Sequence, residues 1–251
     1  RTSTLNQTMI LIAFFEDKQD IIQPFLAAVQ EKFPQITSLF YCINPKVNEY
    51  LMDLEMRLYS GNPFMEEELG KVRYQIGPKS FFQTNTHQAT RLFEIAAEFA
   101  DLQGTENVYD LYTGIGSIAL FLAGKCRQVV GIEEIAAAID DAKKNAALNE
   151  IENAVFYAGD VKDILTEAFA EKHGKPDLLI TDPPRAGMHP KVVEMLIQLG
   201  APRMVYISCN PATQARDLQL LDEHYRVEKM RPVDMFPHTS HVENVALLVK
   251  R

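Results

Sequence analysis

The spacing of hydrophobic positions predicts a small mixed domain at the start of the chain. Strand-like apolar runs lie at residues 8–15 and 36–44, and residues 18–33 between them follow the period of an amphipathic helix. Residues 55–69 are typical of a strand and a turn followed by more irregular chain. We therefore predict a small α+β domain over residues 1–75.

A regular alternation of strands and helices begins after residue 75. An amphipathic helix pattern at residues 86–102 comes first, and strand-like runs then alternate with helical stretches. These runs lie at residues 107–114, 128–133, 153–160, 177–184 and 203–211. The order predicts an α/β fold with an open, mostly parallel, Rossmann-like sheet and helices on both faces. Two last runs around a proline-containing turn predict an antiparallel hairpin at the sheet edge, within a second domain over residues 76–251.

Composition and charge exclude several classes of protein. The chain has 251 residues, of which 47% are hydrophobic and 24% charged, which is typical of a globular protein with a sizeable core. We find no signal peptide and no apolar run near the roughly eighteen residues that a membrane span needs. Three scattered cysteines predict a reducing cytoplasm and no metal site in this chain. A net charge of −9 argues against non-specific binding of nucleic acid through phosphate neutralisation.

A glycine pair marks a candidate cofactor site. Gly114 and Gly116 follow one strand-like run and precede a helix, where glycine lets the backbone approach a ligand. Glu133 ends the next strand-like run, a position from which a carboxylate accepts both hydroxyls of a ribose. The alternative is a tight turn with a surface glutamate. Dinucleotides and S-adenosylmethionine both fit the pattern.

Two aspartates favour S-adenosylmethionine over a dinucleotide. Asp110 precedes the glycines, where its carboxylate would repel a pyrophosphate but could lie near a cationic amino-acid group. Asp160 follows the third strand-like run, from where a carboxylate can reach an adenine amine. A nicotinamide-dependent oxidoreductase is therefore the less favoured alternative.

The reacting residues are expected where the fourth and fifth strands end. The fourth run ends in Asp-Pro-Pro-Arg, with Arg185 where enzymes that methylate exocyclic amines carry an aromatic residue. Cys209 ends the next run, so it faces the same crevice and is a candidate nucleophile. Methylation of pyrimidine C5 needs such a thiolate, which adds to C6 and makes C5 nucleophilic, and it also needs a base. Glu243, with His238 and His241 beside it in the sequence, is the candidate base. The alternatives are amine methylation and a cysteine that is only a small buried hydrophobe.

Six motifs together resemble a known family. "SFFQTN", "DLYTGIGS", "GIE", "TDPPRAG", "YISCNPAT" and "DMFPHTSHVE" occur in this order and resemble the class I RNA uracil-C5-methyltransferases, which make 5-methyluridine in tRNA and 23S ribosomal RNA. The match spans residues 72–251, and residues 1–71 resemble the family's central domain more weakly. The resemblance implies that Cys209 is the nucleophile and Glu243 the base. It assigns cofactor contacts to Gln83, Tyr112, Gly114, Gly116, Ser117, Glu133, Asp160 and Asp182, and substrate contacts to Phe81 and Arg185.

The resemblance also sets expectations for partners. It implies S-adenosylmethionine as cofactor and an rRNA or tRNA as partner, with the target uridine flipped out of its stack. Lys191, Arg185 and Arg216 are candidate phosphate contacts. Because the chain begins abruptly at Arg1, we expect an OB-like RNA-binding domain and, in many members, a four-cysteine iron–sulfur site ahead of it. We expect a cytoplasmic monomer without a membrane anchor.

Overall fold

A computed structural model describes residues 1–48 and 50–251, and the chain divides into two compact units. The small unit comprises residues 1–68 and 73–84, and the large unit comprises residues 69–72 and 85–251. The domain boundary between residues 75 and 76 stays a prediction. Among the described residues, every helix falls short of the length and apolarity that crossing a bilayer requires.

The small unit contains a three-stranded sheet with one helix. Its elements are β1 (Met9–Phe14), α1 (Gln19–Lys32), β2 (Ser38–Ile43) and β3 (Arg57–Gly61). β1 and β2 are parallel, and β3 is antiparallel to β2. The helix buries Ile22 and Leu26 against Leu39 and Tyr41 of β2. The predicted strands and helix of this region are confirmed.

The stretch predicted as irregular is instead a hairpin. β4 (Met65–Leu69) and β5 (Val72–Ile76) form a two-stranded sheet. The three consecutive glutamates of β4 hide its alternation, because Glu67 belongs to the buried face with Met65 and Leu69. The Glu67 carboxylate accepts a hydrogen bond from the Thr4 backbone N–H at 3.0 Å, which compensates its burial.

The large unit is built on a seven-stranded sheet of order β11-β12-β10-β9-β6-β7-β8. Its helices are α2 (Thr86–Ala100), α3 (Ser117–Ala123), α4 (Ala136–Leu148), α5 (Val161–Ile164), α6 (Glu167–His173), α7 (Pro190–Leu199) and α8 (Pro211–Leu221). Its strands are β6 (Asn107–Leu111), β7 (Gln128–Glu133), β8 (Ala154–Ala158), β9 (Leu178–Thr181), β10 (Arg203–Ser208), β11 (Tyr225–Val233) and β12 (Glu243–Lys250). Strands β6 to β10 are parallel, which confirms the predicted α/β sheet.

The C-terminal hairpin is placed so that its last strand is internal. β12 lies between β10 and β11 and is antiparallel to both, while β11 forms the edge. The predicted antiparallel hairpin is therefore confirmed. Its burial matches this order, since β12 buries five of its eight residues whereas β11 exposes most of its length. An internal strand needs apolar side chains on both faces.

Alternate residues of the central strands form one large core. Tyr109, Ile132, Leu179 and Tyr206 belong to a single buried cluster with Val192 of α7, and α8 adds Leu221 to it. The opposite residues of the same strands are also buried, so helices cover both faces of the sheet. With both faces covered, a ligand reaches the sheet at the carboxyl ends of its strands.

Candidate active site

The turn between β6 and α3 provides room for a ligand. Gly114 and Gly116 have φ values of 57° and 80°, in the left-handed region that favours glycine. A Cβ at Gly114 would meet no atom within 4 Å, whereas one at Gly116 would lie 3.1 Å from Phe156 Cζ. The first glycine therefore leaves open space, and the second allows close packing. Ser117 begins α3, and Tyr112, also at positive φ (64°), ends the β6 side of the turn.

Glu133 is attached to this turn. It is the last residue of β7, and its Oε2 accepts a hydrogen bond from the Gly114 N–H at 3.1 Å. Its Oε1 accepts one from the Ile135 N–H at 3.0 Å. A freely solvated surface glutamate would make neither contact. Each carboxylate oxygen keeps a further lone pair that a ribose hydroxyl can use.

Asp110 is the most deeply buried acid near the turn. Its Oδ2 accepts hydrogen bonds from Thr113 Oγ1 at 2.6 Å and from the Ala119 N–H at 3.1 Å. Its Oδ1 has no hydrogen-bond partner among the described residues. Burial raises the pKa of Asp110 to about 7; these two hydrogen bonds oppose the shift and Glu133 adds to it. A buried oxygen without a partner is costly, so this site fits a ligand that brings a donor or a cation.

Asp160 follows β8 and Tyr112 follows β6, so β7 separates the two strand ends. The Asp160 carboxylate caps α5 by accepting a hydrogen bond from the Lys162 N–H at 3.0 Å, and it also pairs with the Lys162 ammonium. That ammonium lowers the pKa of Asp160, so the group is a carboxylate at neutral pH. Burial, followed by the charges of Asp160 and Asp217, raises the pKa of Tyr112 to about 12. Its phenol is therefore a neutral hydrogen-bonding group.

The register of β10 and β12 brings Cys209 and Glu243 together. Ser208, at the end of β10, pairs with Asn244 of β12. The next residues outward on the two strands are Cys209 and Glu243, which are separated by 34 positions in sequence. Cys209 is half-buried and Glu243 is 8% exposed. The pair thus lies where the parallel strands end.

Charges around this pair act in opposite directions. Burial raises the pKa of the Cys209 thiol, the Glu243 and Asp182 carboxylates raise it further, and the Arg185 guanidinium, which hydrogen-bonds the thiol, lowers it. Burial also raises the pKa of Glu243, and Arg185 again lowers it. Asp182 has a pKa well above its usual range through burial and the charges of Glu243 and Asp110. The resting site therefore holds a thiol, beside a carboxylate with increased proton affinity.

Helix α8 holds the loop that carries Arg185. The Arg185 carbonyl accepts hydrogen bonds from Asn210 Nδ2 at 3.1 Å and from Thr213 Oγ1 at 3.2 Å. Further along the loop, Asp217 Oδ2 accepts the Met188 N–H at 2.8 Å. These supporting residues are not among those predicted from the sequence. Their spacing after "SCNP", at positions i, i+3 and i+7 of one helix face, was the available signal.

Arg216 and the remaining cysteines have structural roles. The Arg216 guanidinium donates to Asp217 Oδ1 at 2.7 Å and to the Ala186 carbonyl at 2.9 Å, so it is engaged within the protein. Cys42 and Cys126 are buried. Within residues 1–48 and 50–251, no group of three or more His, Cys, Asp or Glu side chains could hold a metal ion.

Two predicted site residues belong to the small unit. Phe81 is 75% exposed there, as expected of a side chain available for stacking. Gln83 is half-buried, and its backbone carbonyl accepts a hydrogen bond from Arg1 Nη2 at 2.7 Å. Their contacts with a cofactor or a uracil stay predictions.

Sequence comparisons give a family and close relatives. The family model described as tRNA (uracil-5-)-methyltransferase matches residues 62–251. An uncharacterized RNA methyltransferase of Porphyromonas gingivalis is 56% identical over 252 residues, which cover all of this chain and 54% of that protein. Another, of Bacteroides thetaiotaomicron, is 53% identical and matches all of this chain and 56% of its own length. The chain therefore spans about half the length of the curated relatives it matches.

Solved structures agree with the fold and the family. The tRNA (uracil-54, C5)-methyltransferase of Pyrococcus abyssi in complex with S-adenosyl-L-homocysteine has a TM-score of 0.82 at 32% identity, covering 99% of this chain and 58% of that one. The tRNA m1G37 methyltransferase of M. jannaschii has a TM-score of 0.63 at 13% identity, covering 98% and 71%, and shows the shared fold alone. Because the family model covers well over half of its residues, the chain belongs to the tRNA (uracil-5-)-methyltransferase family.

Proposed function

We propose that the protein transfers a methyl group from S-adenosylmethionine to C5 of a uridine in tRNA or 23S ribosomal RNA. The observation that carries the proposal is the β10–β12 register, which sets Cys209 beside Glu243. A nucleophile adjacent to a base is what C5 methylation requires. Family membership and the RNA methyltransferases among the relatives support RNA as the substrate class.

The β6–α3 turn is the proposed cofactor site. Glu133 would accept the ribose hydroxyls and Asp160 the adenine amine. The unpartnered Oδ1 of Asp110 suits the cationic amino-acid end, and the open space at Gly114 suits a ligand that passes close to the backbone. When bound, S-adenosylmethionine supplies an electrophilic methyl group. Tyr112, Gly116, Ser117 and Asp182 of the large unit complete the proposed set of cofactor contacts.

Cys209 and Glu243 divide the remaining chemistry. The Cys209 thiolate adds to C6 of the uracil, and the electron pair of the C5–C6 bond becomes available at C5 for methyl transfer. Glu243 then removes the proton from C5. The electrons of that C–H bond restore the double bond and expel the Cys209 thiolate, which regenerates the enzyme.

Two features oppose the raised pKa of the Cys209 thiol. Arg185 hydrogen-bonds the thiol and lowers its pKa. Cys209 also directly precedes Asn210, whose side chain accepts the Ala212 N–H and caps the eleven-residue helix α8. The positive end of a helix favours a negative charge nearby. The motif Cys-Asn-Pro therefore combines a nucleophile, a helix cap and a proline at the first helical position.

Trapping with fluorinated RNA tests this function. The protein would be incubated with S-adenosylmethionine and a transcript containing 5-fluorouridine, because fluorine at C5 cannot leave as a proton does. We expect a protein–RNA band that survives denaturing electrophoresis, disappears in Cys209→Ala and persists in the control Cys126→Ala. Failure of all tRNA and rRNA transcripts to give a band, with cofactor binding demonstrated, would exclude the covalent mechanism.

A further inference from the structure

Arg185 is the cation whose position controls the reacting pair. It lowers the pKa of both Cys209 and Glu243, while burial raises both. Asp182 and Glu243 act on the thiol in the opposite sense. A guanidinium influences a thiol strongly only at short range, since the interaction falls with distance. Whatever fixes the Arg185 side chain therefore contributes to the reactivity of Cys209, against the larger effects of burial and of the nearby carboxylates.

The loop backbone is fixed, but the side chain needs its own support. Asn210 and Thr213 hold the Arg185 carbonyl, and these two hydrogen bonds do not fix the long side chain. Arg185 itself is exposed. An exposed arginine in water adopts many rotamers, and ordering them costs free energy. The guanidinium finds a second partner in His241, whose Nδ1 lies 2.7 Å from Arg185 Nη2.

His241 is suited to accept from a guanidinium. Arginine can only donate, so Nδ1 is the acceptor in this contact and the other ring nitrogen, Nε2, carries the proton. The His241 N–H donates to Thr239 Oγ1 at 3.2 Å, and Thr239 Oγ1 donates to the Phe236 carbonyl at 2.8 Å. This bracing fixes the turn that presents the imidazole. Glu243 follows two residues later, so one segment delivers both the acceptor and the base.

We propose that His241 is a positioning residue that holds the Arg185 guanidinium beside Cys209 and Glu243. The proposal deepens the proposed function, since it explains how the nucleophile of that reaction is kept reactive. The charged and titratable groups around the contact are Arg185, Cys209, Glu243 and Asp182.

Alkylation of Cys209 tests the proposal without RNA or cofactor. The rate of reaction with iodoacetamide would be measured from pH 6 to pH 10 and assigned to each cysteine by peptide mass spectrometry. In His241→Ala we expect the pH profile of Cys209 to move upward and its rate at pH 8 to fall about three- to tenfold, because less thiolate is present. His241→Asn places an amide oxygen near the position of Nδ1 and should restore most of the rate.

Two further variants separate positioning from general damage. Arg185→Gln should slow Cys209 at least as much, and adding His241→Ala to it should change nothing more, since both act through one contact. His238→Asn is the matched control in the same turn, because asparagine tolerates its φ of 74°. In this variant Cys209 should react with iodoacetamide at the wild-type rate.

Two results would overturn the inference. One is an unchanged alkylation rate of Cys209 in His241→Ala. The other is that adding His241→Ala to Arg185→Gln slows the alkylation of Cys209 as much as it does in the wild-type protein. Methylation does not enter the readout. A protein that passes this test but fails to trap fluorinated RNA would retain the positioning role and lose the proposed function.

Discussion

Asp110 combines complete burial with one unpartnered oxygen, and the pKa of its carboxyl is about 7. An ordinary aspartate has a pKa of about 3.9, so Asp110 of the ligand-free protein holds a proton at mildly acidic pH. A cationic ligand favours the ionised form of the Asp110 carboxyl. Cofactor binding should therefore be linked to the loss of this proton below neutrality.

We predict that affinity for S-adenosylhomocysteine falls as the pH drops below 7, by up to about tenfold per pH unit. Calorimetry at pH 6 in two buffers of different ionisation enthalpy should show a proton released on binding. Asp110→Asn should bind more weakly and lose this pH dependence, whereas Glu134→Gln, at an exposed position, should keep it. The same pH slope in Asp110→Asn would refute the assignment.

Glu243 is buried and has a raised pKa, which suits a group that must take a proton from carbon. We predict that Glu243→Gln permits addition and methyl transfer but stalls the elimination. A covalent adduct should then accumulate on ordinary uridine-containing RNA and appear on a denaturing gel. The control variant Glu134→Gln should turn over normally and accumulate no adduct. If Glu243→Gln turns over normally, another group removes the proton.

At the scale of elements, the two glycines of the β6–α3 turn have different structural roles. Both have positive φ, but added atoms meet open space at Gly114 and packed side chains at Gly116. The pattern Gly-x-Gly does not reveal this difference. It depends on Phe156 and Ala142, which come from other elements.

We predict that Gly116→Ala lowers the free energy of unfolding by about 2 kcal/mol or more, through crowding and backbone strain. Gly114→Ala should cost about 1 kcal/mol, through strain alone. Affinity for the ligand should instead fall more in Gly114→Ala than in Gly116→Ala, since a methyl group at Gly114 occupies the open space. Urea unfolding and calorimetry with S-adenosylhomocysteine measure both quantities. Full affinity in Gly114→Ala would contradict a ligand path past that residue.

Local patterns predicted most elements, and their limits have physical causes. Strand ends were visible because buried runs stop at polar or proline residues, as at Asp182 and Cys209. β4 was missed because a buried glutamate interrupts its apolar alternation. The contact between Arg185 and His241 joins residues 56 positions apart, and no local period encodes such a pairing.

For the whole molecule, the position of β12 between β10 and β11 is the feature that matters most to the candidate site. The pairing of β12 with β10 brings Glu243 to Cys209, and a shift of one residue in this register would turn the side chains of β12 to the other face. Sequence motifs named both residues, yet their adjacency depends on pairing across the sheet. The net charge of −9 gives little general attraction for nucleic acid, so the proposed recognition of RNA would depend on local contacts.

The support of the Arg185 loop by α8 has a mechanical consequence. Cys209 leads into this helix, and Asn210, Thr213 and Asp217 of the same segment grip the loop. These hydrogen bonds tie the backbone of Arg185 to the segment that carries Cys209, while the Arg185 guanidinium is held separately by His241. A redesign of the site would therefore keep the hydrogen bonds between α8 and the Arg185 loop, and would align the segment bearing His241 and Glu243 with them.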